Sequence, residues 1–347
     1  MEFHSLKIEA LKKETPNAVS ILFEVPGPLK ETYRFVAGQY LTLQTEISGT
    51  KVRRDYSICS TAEDEELKVV VKKVPDGFFS KYACDELAVG AILEVAAPQG
   101  RFTFSPKESS SQDTILAIAA GSGITPIISI IKTALTQSEA SVQLLYGNKS
   151  ISDTIFYDEI IALQASYPER FSCQLIFSQE RNENRLFGRI ESSTITCVLN
   201  QMSTPTSVYL CGPEPLIHLS KDTLIEKGLS ESKIKFELFS ASAPPSTAIS
   251  APGDGESNIT VLVDDEEFSF SMKQGGTILE EAIKNDVDAP YSCQGGICSS
   301  CIARVTEGDV EMRQNNILTE GELQEGLILT CQAEPKSAVV KIDYDDV

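Results

Sequence analysis

The sequence predicts a multidomain chain. A small antiparallel β-barrel is expected over residues 1–107, a doubly wound α/β domain over 108–240, and a compact α+β unit over 258–347. Three observations carry this. Short alternating or β-branched segments fill the first third, as in a barrel. Strand-like and helical segments then take turns, which argues for a parallel sheet. Residues 241–257, ASAPPSTAISAPGDGES, are rich in Ala, Pro, Ser and Gly and suit a linker. The length of 347 residues is also too great for one ordinary domain.

The barrel strands are expected at HSLKIEAL (4–11), AVSILFEV (18–25), QYLTLQTE (39–46), RRDYSICS (53–60), LKVVVKKV (67–74) and AILEVAAP (91–98). Those of the parallel sheet are TILAIAA (114–120), SVQLLYG (141–147), FSCQLIFS (171–178), SVYLCGP (207–213) and KIKFELF (233–239). Helices are expected at ITPIISIIKTALTQ (124–137), DTIFYDEIIALQASY (153–167) and EPLIHLSKDTLIEKG (214–228).

Charge and composition exclude several functions. Thirty basic residues face fifty acidic ones, a net of −20. A nucleic-acid partner wants a basic face, so none is expected. The last unit holds 18 acidic and 6 basic residues, which suits docking onto a basic protein patch. The N-terminal MEFHSLKIEALKKE lacks the pattern of a signal peptide. The longest apolar run, residues 114–131, is broken by Gly-Ser-Gly and a proline, and reads as strand–loop–helix rather than a membrane span. A cytoplasmic protein without disulfides is the expectation. Cys59, Cys84, Cys173, Cys197 and Cys211 read as buried small hydrophobes. A Rieske cluster needs two His ligands and a bundle di-iron site needs paired Glu-x-x-His segments. With only His4 and His218 in the chain, neither is expected here.

The last four cysteines differ. Cys293, Cys298, Cys301 and Cys331 are spaced C-x4-C-x2-C and then a distant C. A structural zinc site usually shows two C-x2-C pairs, and only one exists. The x4/x2 spacing is that of plant-type [2Fe–2S] clusters, held by four thiolates. Gln294, Gly295, Gly296 and Ile297 must wrap the core and aim N–H groups at its sulfurs, which glycines permit. Such a cluster takes one electron at a time, whereas a nicotinamide supplies two as a hydride. Flavin is the usual means of dividing the pair.

Upstream segments fit that need. RRDYSICS holds Arg54, Tyr56 and Ser57 on a strand, a weak signal alone. GQY (38–40) precedes it, and VKKVPDGFFS (71–80) ends in a glycine turn and a serine where amides can hold phosphate. GSGITP (121–126) follows a strand and opens a helix, a partial dinucleotide fingerprint. YLCGP (209–213) ends another strand, where Cys211 reads equally as a core residue.

In order, GQY, RDYS, GFFS, GSGITP, CGP and APYSCQGGICSSC resemble the ferredoxin–NADP reductase superfamily, in its multidomain oxygenase reductases. The opening L-x-I…ETPNAVS, the RR-x-YSIC strand, YGNKS and GDVEM…LTCQ are similar to the branch serving phenylacetyl-CoA ring epoxidases. The resemblance implies an FAD barrel, a nicotinamide domain and a β-grasp [2Fe–2S] ferredoxin domain. It also implies an oxygenase partner, favoured as a di-iron multicomponent monooxygenase. Arg54 is then expected on the FAD pyrophosphate, Tyr56 on the isoalloxazine, Ser57 near its N5, and Gly77 and Ser80 in the phosphate cradle. Gly121, Gly123 and Thr125 line the nicotinamide nucleotide, with Cys211, Gly212 and Pro213 near its ring. Glu237 and Phe239 reach the flavin edge, and the four late cysteines hold the cluster.

Departures from the family pattern are Ala37 for proline before Gly38, and Asp76 for glycine before Gly77. Lys149, Ser150, Ser178 and Arg181 form a pocket for a 2′-phosphate or are solvated loop residues. NADPH is favoured over NADH by the resemblance alone. A reductase for a Rieske or steroid hydroxylase is the alternative acceptor reading. A redox carrier without turnover and a zinc-stabilised binding protein are the rivals from other classes.

Overall fold

The structure is a computed structural model that describes residues 2–75, 77–108, 110, 113–183, 185–239, 255–273 and 275–347. Asp76 and most of the expected linker, residues 241–254, lie outside the described residues. The chain divides into two compact units, residues 2–239 and 240–347.

The first unit opens with β1 (Phe3–Thr15), β2 (Ala18–Glu24), β3 (Tyr40–Ile47), β4 (Thr50–Ser57), β5 (Leu67–Lys72), helix α1 (Phe78–Asp85) and β6 (Ile92–Ala96). The antiparallel order is β4-β3-β6-β1-β2-β5. A bridge between Ile58 and Val69 joins the two outer strands and closes the barrel. α1 was not legible in the sequence. It is eight residues long, and its apolar face is only Phe79 and Ala83.

The second half holds β7 (Thr114–Ala120), α2 (Ile124–Gln137), β8 (Ser141–Asn148), α3 (Tyr157–Ser166), β9 (Phe171–Phe177), β10 (Leu186–Phe187), α4 (Ser192–Leu199), β11 (Ser207–Gly212), α5 (Glu214–Glu226) and β12 (Ile234–Leu238). The parallel order β10-β9-β8-β7-β11-β12 reverses direction between β7 and β11. Ligands bind at such a switch point in doubly wound sheets. β10 and α4 are additions to the expected elements. Cys197, expected buried, is exposed on α4, because that helix buries Ile195 and Val198 on its other side.

α2 explains the long apolar run. Ile124, Ile127, Ile128, Ile130 and Ile131 are all fully buried, because the sheet covers one side and the barrel the other. One apolar cluster takes Ala37, Cys59, Val70, Phe102 and Phe104 from the barrel and these isoleucines from α2. The Ser129 hydroxyl donates to the Ser60 carbonyl at 2.7 Å, and the Tyr209 hydroxyl donates to the Thr103 carbonyl at 3.1 Å. Each fully buried isoleucine contributes about 1.5–3 kcal/mol. The barrel keeps a core of its own around Leu6, Ile21 and Val95, and the shared cluster joins it to α2 and the parallel sheet.

The second unit holds β13 (Glu256–Val263), β14 (Glu266–Lys273), α6 (Ile278–Lys284), β15 (Ile302–Glu307), β16 (Val310–Met312), α7 (Glu320–Gln324), β17 (Leu327–Leu329), β18 (Ala333–Pro335) and β19 (Val339–Asp343). Its five-stranded sheet runs β14-β13-β19-β15-β17, with β13 and β19 parallel. β13 claims Glu256 and Ser257, the last two residues assigned to the linker, because alternation of buried and exposed side chains already begins there. No helix among the described residues is long and apolar enough to cross a membrane.

Candidate functional site

In the second unit, residues 290–301 form a loop without regular structure between α6 and β15. Gln294 and Gly296 take positive φ values of 51° and 69°, which fold the loop back on itself. A Cβ at Gly296 would lie 2.9 Å from Gln332 Cγ. The Gly295 amide donates to Cys293 Sγ at 3.3 Å, and the Ile297 amide also points to that sulfur. Cys331 follows β17, and Thr330 secures it: its amide and its hydroxyl both donate to the Cys301 carbonyl at 3.1 Å. The buried Tyr344 hydroxyl donates to Thr330 Oγ1 at 2.8 Å.

The four sulfurs form a chain, Cys298 to Cys293 to Cys331 to Cys301, each within hydrogen-bond reach of the next. Side-chain hydrogen bonds from Cys298 and then Cys331 hold Cys293 below the usual thiol range. Cys331 is raised by its bonds to Cys293 and Cys301. Among the described residues no three His, Cys, Asp or Glu side chains surround a single metal ion. A binuclear core asks for something else, two thiolates per iron, and the pairs Cys293/Cys298 and Cys301/Cys331 answer that requirement. Amides aimed at sulfur complete the fit.

In the first unit, β4 and β12 bring together residues 180 apart. The Ser57 hydroxyl donates to Glu237 Oε2 at 3.4 Å. Burial first, and then the Asp55 carboxylate, push the Glu237 pKa up to about 8, while the Ser57 bond opposes this. Part of the Glu237 side chain still reaches the surface, where water tempers that push. Asp55 is itself held by the Thr42 hydroxyl at 2.7 Å. Beside Ser57, the Tyr56 ring packs on Phe79 with centroids 5.4 Å apart, and Arg54 is exposed on the same strand. Phe239, 37% exposed, follows β12.

Gly77 caps the N-terminus of α1, and the buried Ser80 hydroxyl accepts from the Val74 amide at 3.2 Å. That hydroxyl is therefore engaged in holding the turn, as is the Gly77 amide, which donates to the Val74 carbonyl at 3.1 Å. Thr125 is likewise 2% exposed, with its hydroxyl donating to the Ser122 carbonyl at 3.0 Å. Both residues shape their loops from within.

The loop after β7 lies on the end of β11. A Cβ at Gly123 would stand 2.1 Å from the Cys211 carbonyl oxygen, so only glycine allows this approach. Gly121, Gly123, Cys211 and Gly212 are thereby joined at the switch point, with Pro213 capping α5. Cys211 is fully buried, and burial, then Glu237, raises its thiol pKa. The 149–150 and 178–181 loops also adjoin: the Ser178 and Gln179 amides donate to the Asn148 and Lys149 carbonyls, each at 2.9 Å. The Arg181 guanidinium lies 4.2 Å from the centroid of the Phe187 ring.

Two residues at these sites escaped the sequence. Lys72 ends β5 with its Nζ 3.3 Å from where a Gly121 Cβ would be. Burial lowers its pKa, Asp153 opposes this and Lys149 adds to it. Only the pairing of β5 beside the 121–123 loop reveals it. Gln332 Nε2 donates to the Gln294 carbonyl at 3.2 Å and to Cys331 Sγ at 3.7 Å, tying the two ends of the cysteine set.

Three family models cover the chain: an oxidoreductase FAD-binding domain at residues 5–104, an oxidoreductase NAD-binding domain at 117–222, and a 2Fe-2S iron-sulfur cluster binding domain at 261–336. One component of the 1,2-phenylacetyl-CoA epoxidase of Escherichia coli (strain K12) is 36% identical over 99% of this chain and 98% of its own. The chain belongs to the ferredoxin–NADP reductase family. As a member of that family it is an NAD(P)H oxidoreductase that uses FAD and a [2Fe–2S] cluster. The ferredoxin reductase component of 3-ketosteroid-9-alpha-monooxygenase from Rhodococcus rhodochrous is 33% identical over 98% of this reductase and 96% of its own length. Phthalate dioxygenase reductase shares the fold at a TM-score of 0.63, with 23% identity and 98% coverage of both chains. The fold also matches 41% of an intact type IV self-sufficient cytochrome P450 monooxygenase, over 98% of this reductase, with a TM-score of 0.72 and 20% identity.

Proposed function

We infer that this reductase carries electrons from NADPH to a terminal oxygenase in the cytoplasm, and that the oxygenase is a di-iron enzyme that epoxidises the ring of phenylacetyl-CoA. The observation that carries the acceptor is the 36% identity to the Escherichia coli epoxidase component along the whole of both chains. When bound, FAD supplies the division of a hydride into single electrons, and the cluster carries them one at a time.

The protein's own residues set up that transfer. Arg54 holds the FAD pyrophosphate with its exposed guanidinium, and the first turn of α1, entered from Gly77, adds backbone donors. Tyr56 fixes the flavin plane against Phe79. Ser57 offers its hydroxyl at the flavin edge, and Glu237, kept protonated near neutral pH, holds a proton beside it. Phe239 covers the ring until the nicotinamide arrives. Gly121, Gly123, Thr125, Cys211, Gly212 and Pro213 admit the nicotinamide nucleotide, and Lys72 meets its phosphates. Lys149, Ser178 and Arg181 receive the 2′-phosphate that separates NADPH from NADH. Cys293, Cys298, Cys301 and Cys331 ligate the cluster.

The test is substrate-dependent NADPH oxidation with purified oxygenases. Turnover with a di-iron phenylacetyl-CoA epoxidase, and none with a Rieske ring-hydroxylating oxygenase or a steroid hydroxylase, is the expected result. The reverse keeps the electron path and moves the acceptor to the second reading, which the 33% identity to the Rhodococcus component favours.

A further inference from the structure

Hydrogen bonds to the sulfurs of an iron–sulfur cluster help to set its reduction potential. The cysteine loop supplies such donors from its own backbone: the Gly295 and Ile297 amides serve Cys293 Sγ. Cys331 arrives from outside that loop, after β17, and receives a donor of another kind. Gln332 Nε2 lies 3.7 Å from Cys331 Sγ, within reach of an N–H···S bond. The same nitrogen is 3.0 Å from the Cys331 carbonyl oxygen and 3.2 Å from that of Gln294.

These three neighbours are all acceptors, so only the NH2 end of the amide suits the place. With its oxygen turned inward, the side chain would set a third oxygen against two carbonyls and a sulfur. The amide has two N–H groups for the three acceptors, so one of them is shared. The residue is held in this position from several directions. Its backbone amide donates to the Leu329 carbonyl at 2.8 Å, and its carbonyl accepts from the Arg313 amide at 2.9 Å. Its Cγ packs so closely over Gly296 that a Cβ there would stand 2.9 Å away. Cys331 is itself 5% exposed, so water competes little for its sulfur.

We propose that Gln332 raises the reduction potential of the cluster by donating to Cys331 Sγ. The inference rests on the assignment of Cys331 as a cluster ligand. An added electron increases the negative charge on the sulfurs, and an N–H aimed at one of them favours that reduced form. Without the donor the cluster is harder to reduce, and electrons divided from NADPH by the flavin pass to it less readily.

The test is a redox titration of the full-length protein carrying both cofactors, with the reduced cluster followed by its own electron paramagnetic resonance signal. Gln332→Met keeps the methylenes over Gly296 and removes the donor. It should retain the cluster absorbance of the wild type. At a fixed ambient potential its ratio of reduced to oxidised cluster should be roughly threefold lower, a shift of about 28 mV at about 59 mV per tenfold for one electron. An unchanged or raised potential would overturn the proposal. So would loss of the cluster in Gln332→Met, which would make Gln332 a clamp on the loop rather than a donor that tunes it. Cys331→Ser reports separately on the underlying assignment: it should lose the wild-type cluster absorbance, and full absorbance in that variant would remove Cys331 from the ligand set and the proposal with it.

Discussion

The cluster loop and the flavin edge solve opposite problems. The four cysteine sulfurs proposed to hold the cluster lie between residues 293 and 331 of one unit, three of them on a single loop. The proposed flavin edge pairs Ser57 on a barrel strand with Glu237 on a sheet strand, 180 residues away. Ligation to iron uses side-chain atoms of one chemical type, so it writes a spacing into the sequence. A seat for a non-covalent cofactor uses backbone approach, ring faces and single hydroxyls, which the fold gathers from distant places. The first should therefore fail all at once when one residue is lost, and the second by degrees.

The largest expected effect tests that contrast directly. Cys298→Ser should abolish the cluster absorbance, while NADPH-to-ferricyanide turnover stays within about twofold of wild type. A parallel collapse of ferricyanide turnover would show that the two sites do not stand apart. Next in size, Ser57→Ala should slow flavin reduction by NADPH about a hundredfold in stopped-flow, at the low end for a group positioned on a moving proton, with the cluster spectrum intact. Tyr56→Ala should lose FAD on the order of tenfold more readily on dilution. Full FAD content in that variant would remove Tyr56 from the seat.

The smallest effect is in stability against pH. Glu237 has a folded pKa of about 8, above the ordinary carboxyl value of 4.5. The folded protein then retains a proton that the unfolded chain releases as pH rises between these values. Its contribution is fully present below about 4.5 and is lost as pH climbs through 8. Melting temperature should fall across that window more steeply in the wild type than in Glu237→Gln. Parallel slopes would mean that Glu237 is ionised in the fold at neutral pH.

Legibility in the sequence follows the same division. The central strands of the parallel sheet, β7 and β11, were readable because they are buried on both faces and so are nearly continuously apolar, and α2 appears at the residues expected, Ile124–Gln137. The C-x4-C-x2-C spacing needed no structure at all. α1 and α4 were missed because eight residues give a helix too few turns to show its period. Lys72 and Gln332 were missed because a lysine in a strand and a glutamine after a cysteine have no signature of their own. Ser80 and Thr125 were singled out from the sequence as candidates, yet the sequence could not say that their hydroxyls face inward to hold turns.

The apolar cluster that runs from Ala37 and Phe102 into the isoleucines of α2 also limits how this protein can be recombined. A crossover near residue 110 would give the offspring chain a barrel and a helix that had never been fitted to each other. A crossover beyond Phe239 would pass on the whole inherited set of mated surfaces. The heritable module is thus residues 2–239, and the electron carrier beyond it can be exchanged without relearning how the flavin and nicotinamide halves meet.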